Sequence, residues 1–437
     1  MILILTDTAS PRLDYIVRLL FVDISGLSVV VTTDRNEWLL STGPRINYTK
    51  DFFDAASFHI HPQGLLFEQS IRDVAIDISE VHGMPVFFSD PAGDFPFDIF
   101  SASFFLVSRY EEYLPHVRDA YGRFDARSSL AFRASFLHLP MVEIWANELR
   151  SALMKRFPGL VFPAKRFSFL PTYDIDIAYA HAGRGAFRTI SGGIHSLLSG
   201  RFDLMCTRFR VIAGREKDPY DSYDFLNGLH DRFGLSAIFF ILAARNIRGY
   251  DRNLSAQHPA LQQLVRQLAD RYEVGVHPSW QSGDHPGSLT QEIKTVGDLC
   301  GKAVHSSRQH YIRLAFPYTY RHLLANGIGD DYSMGYATIN GFRASVSSSF
   351  LWYDLENDRA TALRIHPFCY MDANAFHELR MSPEEAFSEL SKLYLSVRKV
   401  NGCMIGIWHN SMLGTDPMYA GWREVYVAFL EMLSVGS

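Results

Sequence analysis

The sequence predicts an α/β protein built from a smaller N-terminal α/β unit over residues 1–165 and a larger unit of repeated βα elements over residues 166–437. Three observations predict it. The chain opens as strand, helix, strand. From residue 166 onward, short apolar runs alternate with helical patterns at βα spacing. Between the two lies PGLVFPAKRFSFLP, from Pro158 to Pro171, with three prolines and little helical pattern, which places a junction near residue 165. A chain of 437 residues supports two or three domains at about 100–200 residues each.

In the N-terminal unit, Ile2–Thr6 is a short apolar run and reads as the first strand. Pro11 to Val22 carries apolar residues at Leu13, Ile16, Leu19 and Leu20, which is helical spacing, and the Val-rich run Leu27–Thr32 reads as a second strand. Residues 35–90 lack a clear period. From Phe95 the chain is aromatic-rich. Phe100, Phe104, Leu106, Tyr110 and Tyr113 fall at helical spacing and predict a packed helix rather than a ligand box. A further amphipathic helix is expected over Val142–Phe157.

The second unit opens with FSFLPTYDIDIAYA, a strand that ends in two acids. His181 to Tyr220 is enriched in arginine (Arg184, Arg188, Arg201, Arg208, Arg210 and Arg215). It reads as a solvated helix pair, with a lid or anion cradle as the alternative. Helices are then expected over Tyr223–Phe233, Pro259–Tyr272, Leu289–Cys300 and Pro383–Val400. Strands are expected over Ser236–Leu242, Val274–His277, Ile339–Ala344, Thr361–Ile365 and Met404–Trp408. Such βα repetition indicates a parallel sheet, either open or closed into a barrel.

Composition narrows the function. Hydrophobic residues make 47% of the chain and charged residues 20%, so disorder as the main state is excluded. The formal charge of −5 gives no global basic field, and no nucleic-acid partner is expected. No window approaches the run of about 18 apolar residues that a membrane span needs. MILILTDTASPRL lacks the basic start and small-residue cleavage site of a secretory signal, so a cytoplasmic protein is expected. The isolated cysteines Cys206, Cys300, Cys369 and Cys403 read as reduced thiols.

Polar residues stand at the C-terminal ends of the expected strands, where parallel α/β folds form their sites. Asp174 and Asp176 share one face of a strand end, and two like carboxylates there call for a shared cation or proton. A capped turn is the structural alternative. His277 lies in EVGVHPSW on an extended segment, because Pro278 disfavours helix before it. It is either a site residue or a satisfied core histidine. SSRQHYIR brings Arg308, His310 and Tyr311 together: Arg308 suits a bidentate carboxylate pair and His310 a metal or substrate. The alternative is a surface charge cluster. GIWHNSM places His409 after an apolar strand, where it suits a general acid.

Taken in order, these segments resemble the polysaccharide deacetylase superfamily, the chitooligosaccharide-deacetylase-type homology domain, over roughly residues 166–437. Thr172-Tyr173-Asp174-Ile175-Asp176 resembles its first motif. His277 matches the first position of its His-x-x-x-His motif. Arg308-Gln309-His310-Tyr311 resembles its Arg-x-Pro-Tyr motif, and Ile405-Gly406-Ile407-Trp408-His409 its last one. DFPFDIFSASFFLVSRYEEYLP, with HPSW, DYSMGYATINGFRAS and IWHN, is similar to an atypical Bacteroidota-type subgroup with an N-terminal domain of unknown function. The resemblance implies a distorted (β/α) barrel preceded by the smaller α/β domain. It implies a metal-dependent hydrolase, with zinc as the expected divalent metal, removing an N-acetyl group from a sugar or glycoconjugate. Carried over residue by residue, Asp174 is the base, Asp176 and His277 are metal ligands, and Arg308 orients Asp174. Tyr311 supplies a backbone amide to the oxyanion, and His409 protonates the leaving amine.

The sequence departs from the family in two places. The acids are spaced Asp-x-Asp rather than adjacent, which leaves an exchange of base and ligand open, and position 281, where the family has its second His, is Gln281. His310 is the first candidate for the third ligand that a catalytic zinc site normally has, and His285 the second. Arg343 stands near the family's remaining motif. Two other readings follow: a C–N hydrolase on a non-sugar substrate, and a catalytically silent carbohydrate-binding or assembly protein. Cytoplasmic residence would imply a nucleotide-linked or lipid-linked substrate.

Overall fold

The structure is a computed structural model that describes residues 1–52, 54–183 and 202–435. Strands β1 (Ile2–Thr6), β2 (Val29–Thr32), β3 (Arg45–Tyr48) and β4 (Phe58–His59) form a parallel sheet in the order β2-β1-β3-β4. Every residue of β1 is buried, as expected of a central parallel strand with both faces covered. The helix Pro11–Val17 starts at Ser10, whose Oγ accepts from Leu13 N at 3.3 Å, with Pro11 in the first turn. It continues as a π-helical segment to Ile24. Ser79–Val81 (β5) and Met84–Val86 (β6) make a small antiparallel hairpin.

The aromatic helix spans Ile99–Val107, all nine residues of it buried. It is shorter than its apolar spacing predicts. Arg109 takes a left-handed conformation, φ 55°, and ends it, so Tyr110–Tyr113 forms a separate 3-10 turn. The helix Met141–Arg156 stands where the pattern places it.

The second sheet has nine strands: β7 (Ser168–Ile175), β8 (Ile238–Ile241), β9 (Glu273–Val276), β10 (Ser306–Ser307), β11 (Asp330–Asp331), β12 (Phe350–Asp354), β13 (Arg359–Ile365), β14 (Tyr370–Met371) and β15 (Cys403–His409). Their order is β12-β13-β11-β10-β9-β8-β7-β15-β14, and only β12 runs antiparallel to its neighbour. Helices Tyr223–Phe233, Pro259–Arg271, Pro286–Cys300 and Pro383–Lys399 match expectation, the last with a capping box between Ser382 and Glu385.

The sheet curls: Ile238 and Phe240 of β8 share an interior cluster with Tyr332, Phe368, Met371 and Ile407. Strand pairing among the described residues nevertheless ends at β12 and β14 and does not close the expected barrel. Phe368 N donates to Met334 O at 3.1 Å just past the paired ends of β13 and β11. The strand expected over Ile339–Ala344 is absent. Gly341 N donates to Cys369 O and Phe342 N to Leu137 O, both at 2.8 Å, so the segment divides its backbone bonds between the end of β13–β14 and the N-terminal unit. Arg184, Arg188 and Arg201 lie outside the described residues. Of the remaining Arg-rich stretch, Phe202–Ile212 is helical and Arg210 pairs with Glu216 on the surface.

One hydrophobic core cluster contains residues of both units. Buried polar contacts join them as well. Arg12 Nε meets Asp358 Oδ1 at 2.7 Å, and Glu143 Oε1 accepts from the backbone of Ser347 and Ser348. Glu112 lies between Arg109 and Arg343, with Nε to Oε1 distances of 2.8 Å to each.

Candidate metal centre and active site

Strands β7, β8, β9 and β15 are parallel neighbours, so their C-terminal ends lie along one edge. His409 pairs in register with Asp174. The turns after β9 and β10 add His277, Arg308 and His310. Residues widely separated in sequence thus meet around Asp176.

Three imidazoles face the Asp176 carboxylate through Nε2: His277 at 3.1 Å, His310 at 3.5 Å and His409 at 3.6 Å. Each has its Nδ1 engaged elsewhere. His277 Nδ1 lies 2.6 Å from the Arg308 carbonyl, which only accepts, so Nδ1 carries a hydrogen and Nε2 is left to face Asp176. His310 Nδ1 lies 3.0 Å from Asp251 Oδ1, and His409 Nδ1 2.6 Å from Asp372 Oδ1. A histidine held at Nδ1 by a carbonyl or carboxylate, with Nε2 presented, is the arrangement of a metal-ligating imidazole. Ligand atoms of Asp176, His277 and His310 all lie within 4.8 Å of one another. Asp176 Oδ1 is buried and makes no well-formed hydrogen bond, with His277 Nε2 3.1 Å away, a setting that a cation between them satisfies. One carboxylate with two imidazoles suits zinc. The residues present fit a metal.

Gln281 is not in this set. Its Nε2 donates to Asp251 Oδ2 at 3.1 Å, and Trp280 N donates to Asp251 Oδ1 at 2.9 Å. Position 281 therefore props the carboxylate that orients His310. His285 stands elsewhere, at the N-terminus of the helix Pro286–Cys300, facing a different cleft beside Arg245 and Gln291.

Asp174 is buried at the end of β7 and accepts from Arg308 Nη1 at 2.9 Å, while His277 Nε2 stays 3.9 Å away. Arg308 is itself fixed by Tyr332 O at 3.0 Å and by the Phe240 ring, 4.4 Å beneath its guanidinium. The two carboxylates thus differ in surroundings: Asp176 faces imidazoles, Asp174 an arginine.

Electrostatics follow from this geometry. Burial opposes charge on Asp176, but His310 and His277 outweigh it and hold its carboxyl well below the usual range. Burial likewise opposes charge on His310, yet Asp176 and Asp251 raise its pKa to about 9. At His409, burial is overcome by Asp372, then Asp176 and Asp174, which raise it to about 10.

Tyr311 sits beside His310 in a left-handed conformation, φ 58°, ψ 14°. Its carbonyl accepts from Arg123 Nη1 at 2.7 Å. Asp174, Asp176, His277, His310, Tyr311 and His409 line a cleft of about 410 Å³. Arg343, expected near the site, is instead spent on Glu112, because its guanidinium is buried against the N-terminal unit. Sequence reasoning missed Asp251 and Asp372. Asp251 lies in a loop without periodicity, and Asp372 follows a strand of two residues, too short to register as one.

Comparison with known proteins adds the following. Residues 2–158 match the model of a family of unknown function, DUF7033. No curated protein matches the chain. Among solved structures, the chain is similar to a probable polysaccharide deacetylase from Pseudomonas aeruginosa PAO1, at 12% identity and a TM-score of 0.38, over 61% of this chain and 85% of that one. It is similar to Puue allantoinase at 10% identity and a TM-score of 0.38, over 61% and 85%. It is similar to a polysaccharide deacetylase from Bacillus cereus at 10% identity and a TM-score of 0.30, over 62% and 89%. Among the described residues, no helix is long and apolar enough to cross a membrane.

Proposed function

We propose that the protein is a metal-dependent hydrolase that removes an N-acetyl group from a sugar or glycoconjugate. The observation that carries this reading is the Asp176–His277–His310 set, with Nδ1 of both histidines already engaged and both Nε2 atoms turned to the Asp176 carboxylate. The sequence resemblance supplies the reaction class.

Asp176, His277 and His310 would hold the ion, zinc by preference. A bound zinc lowers the pKa of water toward about 7 and polarises a carbonyl. Asp174 is the base: Arg308 holds and aims the carboxylate, so that it takes the proton of the attacking water. The Tyr311 backbone amide receives the developing oxyanion. His409, held by Asp372, gives its Nε2 proton to the departing amine. The second acid of the Asp-x-Asp pair is thus the ligand and the first the base.

The test is metal content by elemental mass spectrometry, with acetate release from N-acetylated sugars. Wild type is expected to hold about one ion per chain and His310→Ala to lose it. Because the His310 proton must leave before its Nε2 can ligate, loading near pH 7 should release protons, which calorimetry in buffers of different ionisation enthalpy reads. A wild type that takes up no zinc and works without it sinks the metal-dependent reading in favour of a metal-free C–N hydrolase. Substrate binding without turnover, unchanged in Asp174→Asn, would instead indicate a silent binding protein.

A further inference from the structure

A second groove, of about 1260 Å³, lies in the N-terminal unit. It exceeds the roughly 300–1,000 Å³ of small-molecule pockets. Its floor is apolar, with Phe105, Phe124 and Leu130 buried there. Its rim carries apolar groups that water reaches: Val117 is 62% and Ile78 43% exposed. Exposed apolar surface gathered in a concave site marks a place of interaction. Phe124 belongs to the turn over residues 118–124, closed by an antiparallel bridge between Arg118 and Phe124. Tyr121 and Arg123 of the same turn line the cleft of the metal set, so the groove and the cleft share this piece of chain.

One edge of the groove is a straight run of chain. Residues 71–78 contain no helix, turn or bend and pass directly into β5. Val74, Ile76 and Ile78 line the groove while Ala75 and Asp77 do not, the period of two of an extended strand. This strand has no ladder. Among the described residues, no backbone N–H or carbonyl of residues 74–78 meets a hydrogen-bond partner. Free backbone beside an apolar groove is the template that an added strand uses. Charge narrows the occupant further. The Arg127 and Arg133 side chains are exposed on the lining and meet no acid among the described residues. Glu111 is already engaged, its Oε1 by Arg109 Nη2 and its Oε2 by Leu130 N, both at 2.8 Å. Arg72 pairs with Glu68, which leaves Asp73 as the free acid of the lining. Two free guanidinium groups against one free carboxylate favour an acidic ligand.

We propose that this groove docks an acidic, extended segment of a partner protein, which pairs with residues 74–78 as an added strand. Alternate apolar side chains of the segment rest on Phe105, Phe124 and Leu130, and its acids meet Arg127 and Arg133. A lipid chain would cover the apolar floor but leave the free backbone unanswered, so the peptide is the better fit. Bound there, the partner is held beside the cleft of the metal set. The inference stands apart from the hydrolase reading, because it uses none of the metal set.

The experiment reads fluorescence anisotropy of a labelled peptide of four Glu-Val repeats added to the full chain. Three further probes are the same peptide with Lys for Glu, and two forms N-methylated at every valine or at every glutamate. Successive residues of a strand direct their N–H groups to opposite edges, so each methylated form blocks one edge. Saturable binding of the Glu-Val peptide is expected, with the Lys-Val peptide about tenfold weaker or worse. One methylated form is expected to lose binding and the other to keep it. The double variant Arg127→Glu, Arg133→Glu should reverse the preference for acid over base, and both side chains are exposed, so the fold is retained, checked by circular dichroism. No binding up to about 1 mM peptide, or no charge preference, overturns the proposal. Equal loss with both methylated forms, or loss with neither, overturns the added strand. Sedimentation of the protein alone guards against a second copy: a dimer that the double variant dissociates assigns the groove to self-association and overturns the partner.

Discussion

His409 is committed at both ring nitrogens. Asp372 takes Nδ1–H at 2.6 Å, and Nε2 points to Asp176 at 3.6 Å. With its pKa raised to about 10, the ring carries the proton that the proposed mechanism gives to a leaving amine. The sign follows directly: an acid must start protonated, so activity is lost as pH rises through that pKa. A cation at the metal set cancels part of the Asp176 field, which puts the basic limb of the loaded enzyme below 10. His409→Ala should lower kcat by about 10²–10⁴-fold and abolish that limb while metal content holds. A pH–rate profile beside elemental analysis decides it; metal loss that tracks the rate would make His409 a ligand. At this scale, the residues Asp174, Asp176, His277, Arg308, His310, Tyr311 and His409 were legible because each ends an apolar run or sits in a dense polar segment. Asp251 and Asp372 were not, since an acid that acts through a histidine leaves no local pattern.

Among elements, β9 shows how a strand sets a side chain of the candidate site at a distance. A Cβ on Gly275 would stand 2.6 Å from the Phe240 ring and 2.8 Å from Ser306 O, so neighbouring strands require glycine there. Phe240 supports the Arg308 guanidinium, and Arg308 holds Asp174. Gly275→Ala should therefore cost about 1–3 kcal/mol by overpacking, read by urea unfolding. It should also lower kcat with metal retained, because Asp174 lies outside the metal set. Long apolar strands such as β1, β8 and β15 were readable from composition and length. The two-residue strands β10, β11 and β14 were not, because pairing rather than sequence makes them strands.

The two units are tied by charge as well as by their common core. Glu112 lies between Arg109 and Arg343. Burial pushes its carboxyl up, but Arg343 and Arg109 outweigh this and hold it at about 2. Removing the carboxylate leaves two buried guanidinium groups without it, so Glu112→Ala should destabilise the protein by about 3–5 kcal/mol, checked by thermal and urea unfolding. A loss under 1 kcal/mol would show that the network contributes little.

What the amino-acid order determined by itself is local. The helices with strong periods, the buried parallel strands and the polar residues that end them follow from side-chain pattern and backbone preference. Tertiary structure decided which of those residues meet. It selected His310 over His285 beside Asp176 and His277, made Gln281 a prop for Asp251, and turned Arg343 toward Glu112. It also brought Tyr121 and Arg123 to a cleft whose other residues lie in the second unit. These outcomes depend on distances between residues far apart in the chain, which strand order and packing set and no local pattern encodes.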